Sequence, residues 1–137
     1  IFDLEKDNTW PSLVKEQTYD LVVISEVLEH LFKPEEALAK IKQQFECSVI
    51  VTVPNILFWK NRLNIFLGYF NYTDTGLMDR GHIHFFSWTS LRETVKKSGY
   101  KIISTAHHVP TRGTKILAKI WPGLFSYQFI IKLEPIK

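Results

Sequence analysis

The 137 residues are 45% hydrophobic and 23% charged, a balance that supports one packed core and excludes disorder as the dominant state. The formal charge of +3 falls short of the clustered basic footprint of a dedicated nucleic-acid binder, and no apolar run approaches the roughly 18 residues that span a bilayer. A single cysteine, Cys47, excludes an internal disulfide and points to a reducing compartment, so a soluble, cytoplasmic chain of one domain is the expectation.

Residues 1 to 18 read as a connection. Asp3, Glu5, Asp7 and Asn8 precede the turn signal Trp10-Pro11-Ser12, and Leu13-Val14 is too short to assign. The stretch Tyr19 to Phe32, YDLVVISEVLEHLF, organises the rest of the chain. Leu21 to Ile24 is a run of four apolar residues that leads into the polar, acidic turn Ser25-Glu26, the pattern of a parallel strand buried on both sides. Beyond it Glu26, Glu29 and His30 stand at i, i+3 and i+4, so one helical turn would point all three in one direction. Open α/β sheets bind ligands at this carboxyl edge.

Pro34 suits the first turn of a helix, Glu35 and Glu36 complement its positive end, and Ala37, Leu38, Ile41 and Phe45 repeat at helical spacing. Val49 to Val53 is a second strand, ended by Pro54, which has no amide hydrogen for the ladder. In Ile56 to Phe70, Trp59, Leu63, Phe66 and Phe70 recur at i, i+4, i+7 and i+11 opposite Lys60, Asn61, Arg62 and Asn64, predicting an amphipathic helix. Such a helix packs on its own domain, walls a substrate pocket through Trp59, lies on a membrane surface, or joins two copies of the chain.

Asn71 to Phe86 is a loop dense in groups that bind ligands or move protons, among them Arg80, His82 and His84. Trp88 to Lys97 reads as a helix, with Ser87 or Thr89 as cap, Ser90 and Glu93 at capping-box spacing, and Gly99 as the stop. Tyr100 to Ala106 is a strand. Ile116 to Trp121 forms a short helix that Pro122-Gly123 stops, and Tyr127 to Leu133 is a final strand.

Asp20 through His30, Pro34, the strand Val49 to Val53 with Pro54-Asn55, Met78-Asp79-Arg80-Gly81-His82, Phe85 to Leu91 and the Gly99-Tyr100 turn form a series. That series resembles the second half of a class I S-adenosylmethionine-dependent methyltransferase. The resemblance implies an α/β, partial Rossmann-like fold, a mostly parallel sheet with an antiparallel final strand and helices on both faces. It also implies one domain over 1–137 that begins about halfway along. The glycine-rich turn and the ribose-binding carboxylate of that family have no match among these residues. Asp3 and Leu4 match positions that meet the adenine of S-adenosylmethionine, and Ser25 and Glu26 match positions beside its methionine part.

The implied reaction is methyl transfer to an oxygen of a small-molecule acceptor, carried out as part of a longer domain. The turn Ser25-Glu26-Val27-Leu28 departs from the Asn-Pro-Pro-aromatic turn of many enzymes that methylate planar nitrogens. His30, His82 and His84 are candidate bases, since an imidazole titrates near working pH. Arg80 and Trp59 are candidate acceptor contacts, Arg80 for an acidic or phosphorylated group. Glu26, Glu29, His30 and a downstream histidine, His84 or His82, also resemble the divalent-metal motif of small-RNA 2′-O-methyltransferases. The same Glu-His pair occurs in relatives without metal, where it is structural. The alternatives are therefore a non-enzymatic interaction module of degenerate methyltransferase fold and a metal-dependent RNA 2′-O-methyltransferase. Peripheral membrane contact and self-association through exposed strand edges are further expectations.

Overall fold

The computed structural model describes residues 3–6, 11, 14, 16–110 and 112–136. The turn expected at Trp10-Pro11-Ser12 and the segment around Leu13 lie largely outside them. Four strands form one sheet in the order β1-β2-β4-β3: β1 Leu21–Ser25, β2 Ser48–Pro54, β3 Tyr100–His108 and β4 Gln128–Pro135. β1 and β2 run parallel, while β4 pairs antiparallel with both β2 and β3. Three strands thus point one way and the last in sequence is inserted between two of them.

Among the described residues five α-helices of a turn or more accompany the sheet: α1 Pro34–Phe45, α2 Trp59–Phe66, α3 Trp88–Lys97, α4 Lys115–Ile120 and α5 Pro122–Phe125. α1 opens with Pro34 at its first position and ends on Glu46 in the left-handed conformation (φ 47°). α3 is closed by a reciprocal box in which Ser87 accepts from the Ser90 amide and Ser90 accepts from the Ser87 amide. Ser90 is therefore the return partner of Ser87, not the start of a box with Glu93. Gly99 comes next with φ 77°, a left-handed conformation that glycine adopts without the Cβ penalty of other residues.

The core lies on one face of the sheet. Ile24, Val49, Val51, Val53, Phe129, Ile131 and Leu133 pack against Leu38 and Ile41 of α1 and Leu91 and Val95 of α3. On the other face Leu21 and Val23 are exposed. The expectation of helices on both faces is corrected on that point, because among the described residues no layer covers the second face of β1.

The turn after β2 is anchored by Asn55, which is fully buried. Its side-chain amide donates to the carbonyls of Gly123 and Ser126 (3.3 and 2.7 Å), and its Oδ1 accepts from the Leu57 amide (3.1 Å). This ties the carboxyl end of β2 to α5. The helix before Pro122 ends at Ile120, as expected of Pro122-Gly123, and Pro122 in addition starts α5 at its first turn, where a missing amide hydrogen costs nothing.

α2 is shorter than the predicted Ile56 to Phe70 and is oriented unexpectedly. Its one buried residue is Asn61, whose amide donates to the Ile56 carbonyl at 2.6 Å. Leu63, Phe66 and Phe70 face solvent, Phe66 at 84% exposure.

Candidate active site at the carboxyl edge

β1 ends at Ser25, and Glu26 turns the chain with φ 52°. The Glu26 amide donates to the Thr52 carbonyl (3.1 Å), extending the β1–β2 pairing by one bond. Its carboxylate accepts from Gln128 Nε2 (2.6 Å) and Thr52 Oγ1 (3.2 Å), and Ser25 Oγ lies 2.9 Å from Thr52 Oγ1. Glu26 is thus held over the ends of β2 and β4. The single helical turn expected to carry Glu26, Glu29 and His30 together is replaced by this left-handed residue followed by a 3-10 turn, Leu28–His30.

That short turn buries Glu29 completely. The later loop docks on it through backbone bonds: the amides of Ile83 and His84 both donate to the Glu29 carbonyl (3.0 and 2.9 Å). Gly81 is fixed by its amide to Asp79 Oδ1 (2.7 Å), and its carbonyl accepts from His30 Nδ1 (2.8 Å). A carbonyl only accepts, so His30 carries its proton on Nδ1 and keeps the Nε2 lone pair free. A Cβ on Gly81 would meet His30 Cε1 at 3.3 Å, so the glycine also sets how closely the loop approaches.

Glu29, His30 and His82 come together. One ligating atom from each lies within 4.8 Å of the others, His82 Nε2 is 4.0 Å from Glu29 Oε1, and the two imidazole rings are 5.0 Å apart. Among the described residues neither oxygen of the Glu29 carboxylate has a hydrogen-bond partner, nor does His82 Nδ1. A buried carboxylate without donors is costly in its charged form. Desolvation, with the charge of nearby Glu26 adding to it, pushes the Glu29 carboxyl up to about 7.

Two of the expected participants lie elsewhere. Glu26 spends its carboxylate on Gln128 and Thr52. His84 donates from Nδ1 to the Leu31 carbonyl (3.1 Å) and stacks on Phe86, partners different from those of His82. The downstream histidine of the cluster is His82, and His84 braces the loop.

Asp3, Arg80 and Trp59 stand apart from the cluster. The Asp3 carboxylate accepts from the amides of Glu5 and Lys6 (3.0 and 3.2 Å), which holds its carboxyl below the usual range. The turn it shapes is pinned to α1, where Lys40 Nζ donates to the carbonyls of Leu4 and Glu5. Arg80 lies at the surface with Asp74 (3.4 Å). Trp59 opens α2, half exposed beneath Lys60 Nζ (5.6 Å from the ring centre).

An open cavity of about 350 Å³ adjoins this edge, lined among others by Asn61, Asn64, Asn71, Thr73, Tyr69 and Tyr127. Tyr127 is the neighbour of Gln128, which holds Glu26. Periodicity alone did not single out these three amides. Their signal was the repeated Asn on the polar side of α2 and just beyond it.

Residues 2–105 match the family described as a methyltransferase domain. The chain belongs to the class I S-adenosylmethionine-dependent methyltransferases. A curated relative, the small RNA 2′-O-methyltransferase of Tetrahymena thermophila, is 32% identical over 117 residues, covering 74% of this chain and 25% of that protein. The chain therefore spans about a quarter of that relative's length. Among solved structures, small RNA methyltransferase HEN1 superposes with a TM-score of 0.59 at 18% identity, over 88% of this chain and 14% of its own. Magnesium protoporphyrin IX methyltransferase from Synechocystis, solved with S-adenosylhomocysteine, gives 0.58 at 16% identity, over 98% and 49%. A methyltransferase from Listeria monocytogenes gives 0.56 at 17%, over 99% and 68%. These structures share the fold, a mixed α/β sheet of partial Rossmann-like type with an antiparallel strand.

Proposed function

We propose that the protein to which this chain belongs transfers a methyl group from S-adenosylmethionine to a hydroxyl oxygen of a small, saccharide-like acceptor. The observation that carries the reading is the cluster of Glu29, His30 and His82 at the carboxyl edge; a separate cavity along α2 and the loop from Asn71 to Met78 is lined in part by amides and hydroxyls. When bound, the cofactor supplies an electrophilic methyl on a sulfonium. Ser25, Glu26, Asp3 and Leu4 are this chain's contribution to its site. The Glu26 carboxylate, already oriented by Gln128 and Thr52, and the left-handed turn at that residue fit a ligand lying across the strand ends.

A hydroxyl acceptor must lose a proton as the oxygen attacks. His30, with Nε2 unprotonated, accepts it, and the Glu29 carboxylate stabilises the resulting imidazolium. Asn64 and Asn71 each offer donor and acceptor atoms, which suits an acceptor with several hydroxyls. Positioning then accounts for much of the acceleration. The test is methyl transfer by the full-length protein from labelled S-adenosylmethionine to a panel of oligosaccharides, compared with Glu29→Gln. Transfer to a saccharide that is lost in the variant supports the reading, and labelling of an amine in its place overturns it.

A second reading is favoured by the unpartnered oxygens of Glu29. The same three side chains would suit a divalent cation that holds the acceptor hydroxyl and lowers its pKa, with a ribose 2′-hydroxyl of RNA as acceptor. The Tetrahymena relative bears a name of that activity. Metal removal separates the two: activity restored to chelated protein by magnesium or manganese, and restricted to RNA with a terminal 2′-hydroxyl, supports the second. Magnesium-independent activity disposes of it.

A further inference from the structure

α2 is an amphipathic helix that lies almost wholly at the surface, its apolar side exposed along with Lys60 and Arg62. Asn61 is buried against the domain, while Leu63, Phe66 and Phe70 point to solvent. α4 buries only Ala118 and exposes Ile116 and Ile120, with Trp121 just past its end, at 71%, 77% and 60%. Arg62 links the two regions, donating from Nη2 to the Gly123 carbonyl (3.0 Å) just past α4 and from Nε to the Leu57 carbonyl (2.7 Å). Leu57, Arg62, Trp121 and Pro122 line one shared recess. Two exposed apolar surfaces therefore adjoin, far more than the scattered hydrophobes of an ordinary surface.

The charge around them is one-sided. No Asp or Glu occurs between Asn55 and Thr73, or between Thr94 and Leu133. Lys60 of α2 and Lys115 and Lys119 of α4 are exposed. Lys60 lies over the Trp59 ring, where its stem covers apolar surface and its ammonium reaches outward.

We propose that this surface docks on an anionic phospholipid bilayer. Exposed Leu, Ile and Phe enter the acyl boundary, Trp59 and Trp121 suit the headgroup level, and the lysines meet lipid phosphates. Single-stranded RNA is a poorer match, since Leu63, Ile116 and Ile120 have no ring on which a base stacks. Docking is peripheral, because no helix among the described residues is long and apolar enough to cross a membrane.

The experiment is flotation of the full-length protein with vesicles of phosphatidylcholine alone or mixed with phosphatidylglycerol, for the parent and for Phe66→Asp and Ile120→Asp. The expected result is binding to the mixed vesicles, weakened by salt, and reduced about tenfold or more by either substitution. Matching circular dichroism and melting curves establish that the variants are folded. No binding to the mixed vesicles, or binding that both folded variants retain, overturns the proposal. So does a parent dimer that Phe66→Asp disperses, which would assign the surface to a second copy, or release of the protein from vesicles by single-stranded RNA.

Discussion

The segments that leave β1 and β2 at the same edge treat polarity in opposite ways. After β1 the chain buries a carboxylate, Glu29, with no hydrogen-bond partner among the described residues for either oxygen. After β2 it buries an amide, Asn61, and turns Leu63 and Phe66 to water. Neither choice helps the isolated fold. A core favours paired polar groups and a surface favours few large hydrophobes. The first costs stability through desolvation and leaves a group ready to bind or take a proton. The second leaves apolar area uncovered for something outside the domain. Strain of these two kinds, concentrated at one edge, marks the working end of the molecule.

Glu29→Gln gives the largest expected effect and the sharpest test of the first half of the contrast. Methyl transfer should fall by about a hundredfold or more, while folding stability rises. In the folded chain the Glu29 carboxyl titrates at about 7, against 4.5 ordinarily. Below pH 4.5 both states hold the proton and the group is neutral to stability. Between 4.5 and 7 the unfolded chain releases it first, so the folded state loses stability, and the deficit is complete above 7. Urea unfolding of chelated protein at pH 5 and pH 8 should show this decline in the parent and its absence in Glu29→Gln, a difference of up to about 3 kcal/mol. An equal decline in both would sink the assignment.

Asn55→Ala is next. It strands the buried Ser126 carbonyl, leaves that of Gly123 to Arg62 alone, and frees the turn that carries α2, so unfolding free energy should drop by about 1–3 kcal/mol. A loss near zero would mean that α5 holds that turn without the amide. Gly81→Ala comes third: the added methyl presses on His30 and should lower activity about tenfold with little change in unfolding. The smallest effect falls on the other half of the contrast. Leu63→Ser should leave stability within about 0.5 kcal/mol, whereas a loss of several kcal/mol would mean that the apolar side of α2 is packed after all.

The strands were legible because alternation and unbroken apolar runs reflect burial directly: Val49, Val51 and Val53 face the core as their spacing requires. Polar clusters were less so. Spacing placed Glu26 with Glu29 and His30, but a left-handed glutamate is set by its bond to Thr52, a contact between distant residues. His82 and His84 look equivalent in sequence, and only their partners in the fold, Glu29 for one and Leu31 for the other, tell them apart. Periodicity likewise identified α2 as two-sided and was silent on which side faces in. That choice belongs to Asn61 and Arg62, whose bonds reach Ile56 and Leu57 within the same turn and Gly123 far along the chain.

The position of β4 bears on how the protein is made. It is made after β1, β2 and β3, yet it occupies an inner place, pairing with β2 through Val49 to Pro54 and with β3 through Tyr100 to His108. Until it arrives, β2 and β3 have no bond to each other, and the apolar side chains that will enclose Phe129, Ile131 and Leu133 await their partners. Synthesis therefore holds the nascent sheet open until Gln128–Pro135 emerges, and pairing across such long sequence separations is intrinsically slow. A message truncated before Gln128 yields a polypeptide with two bare strand edges, a natural client for chaperones and proteases.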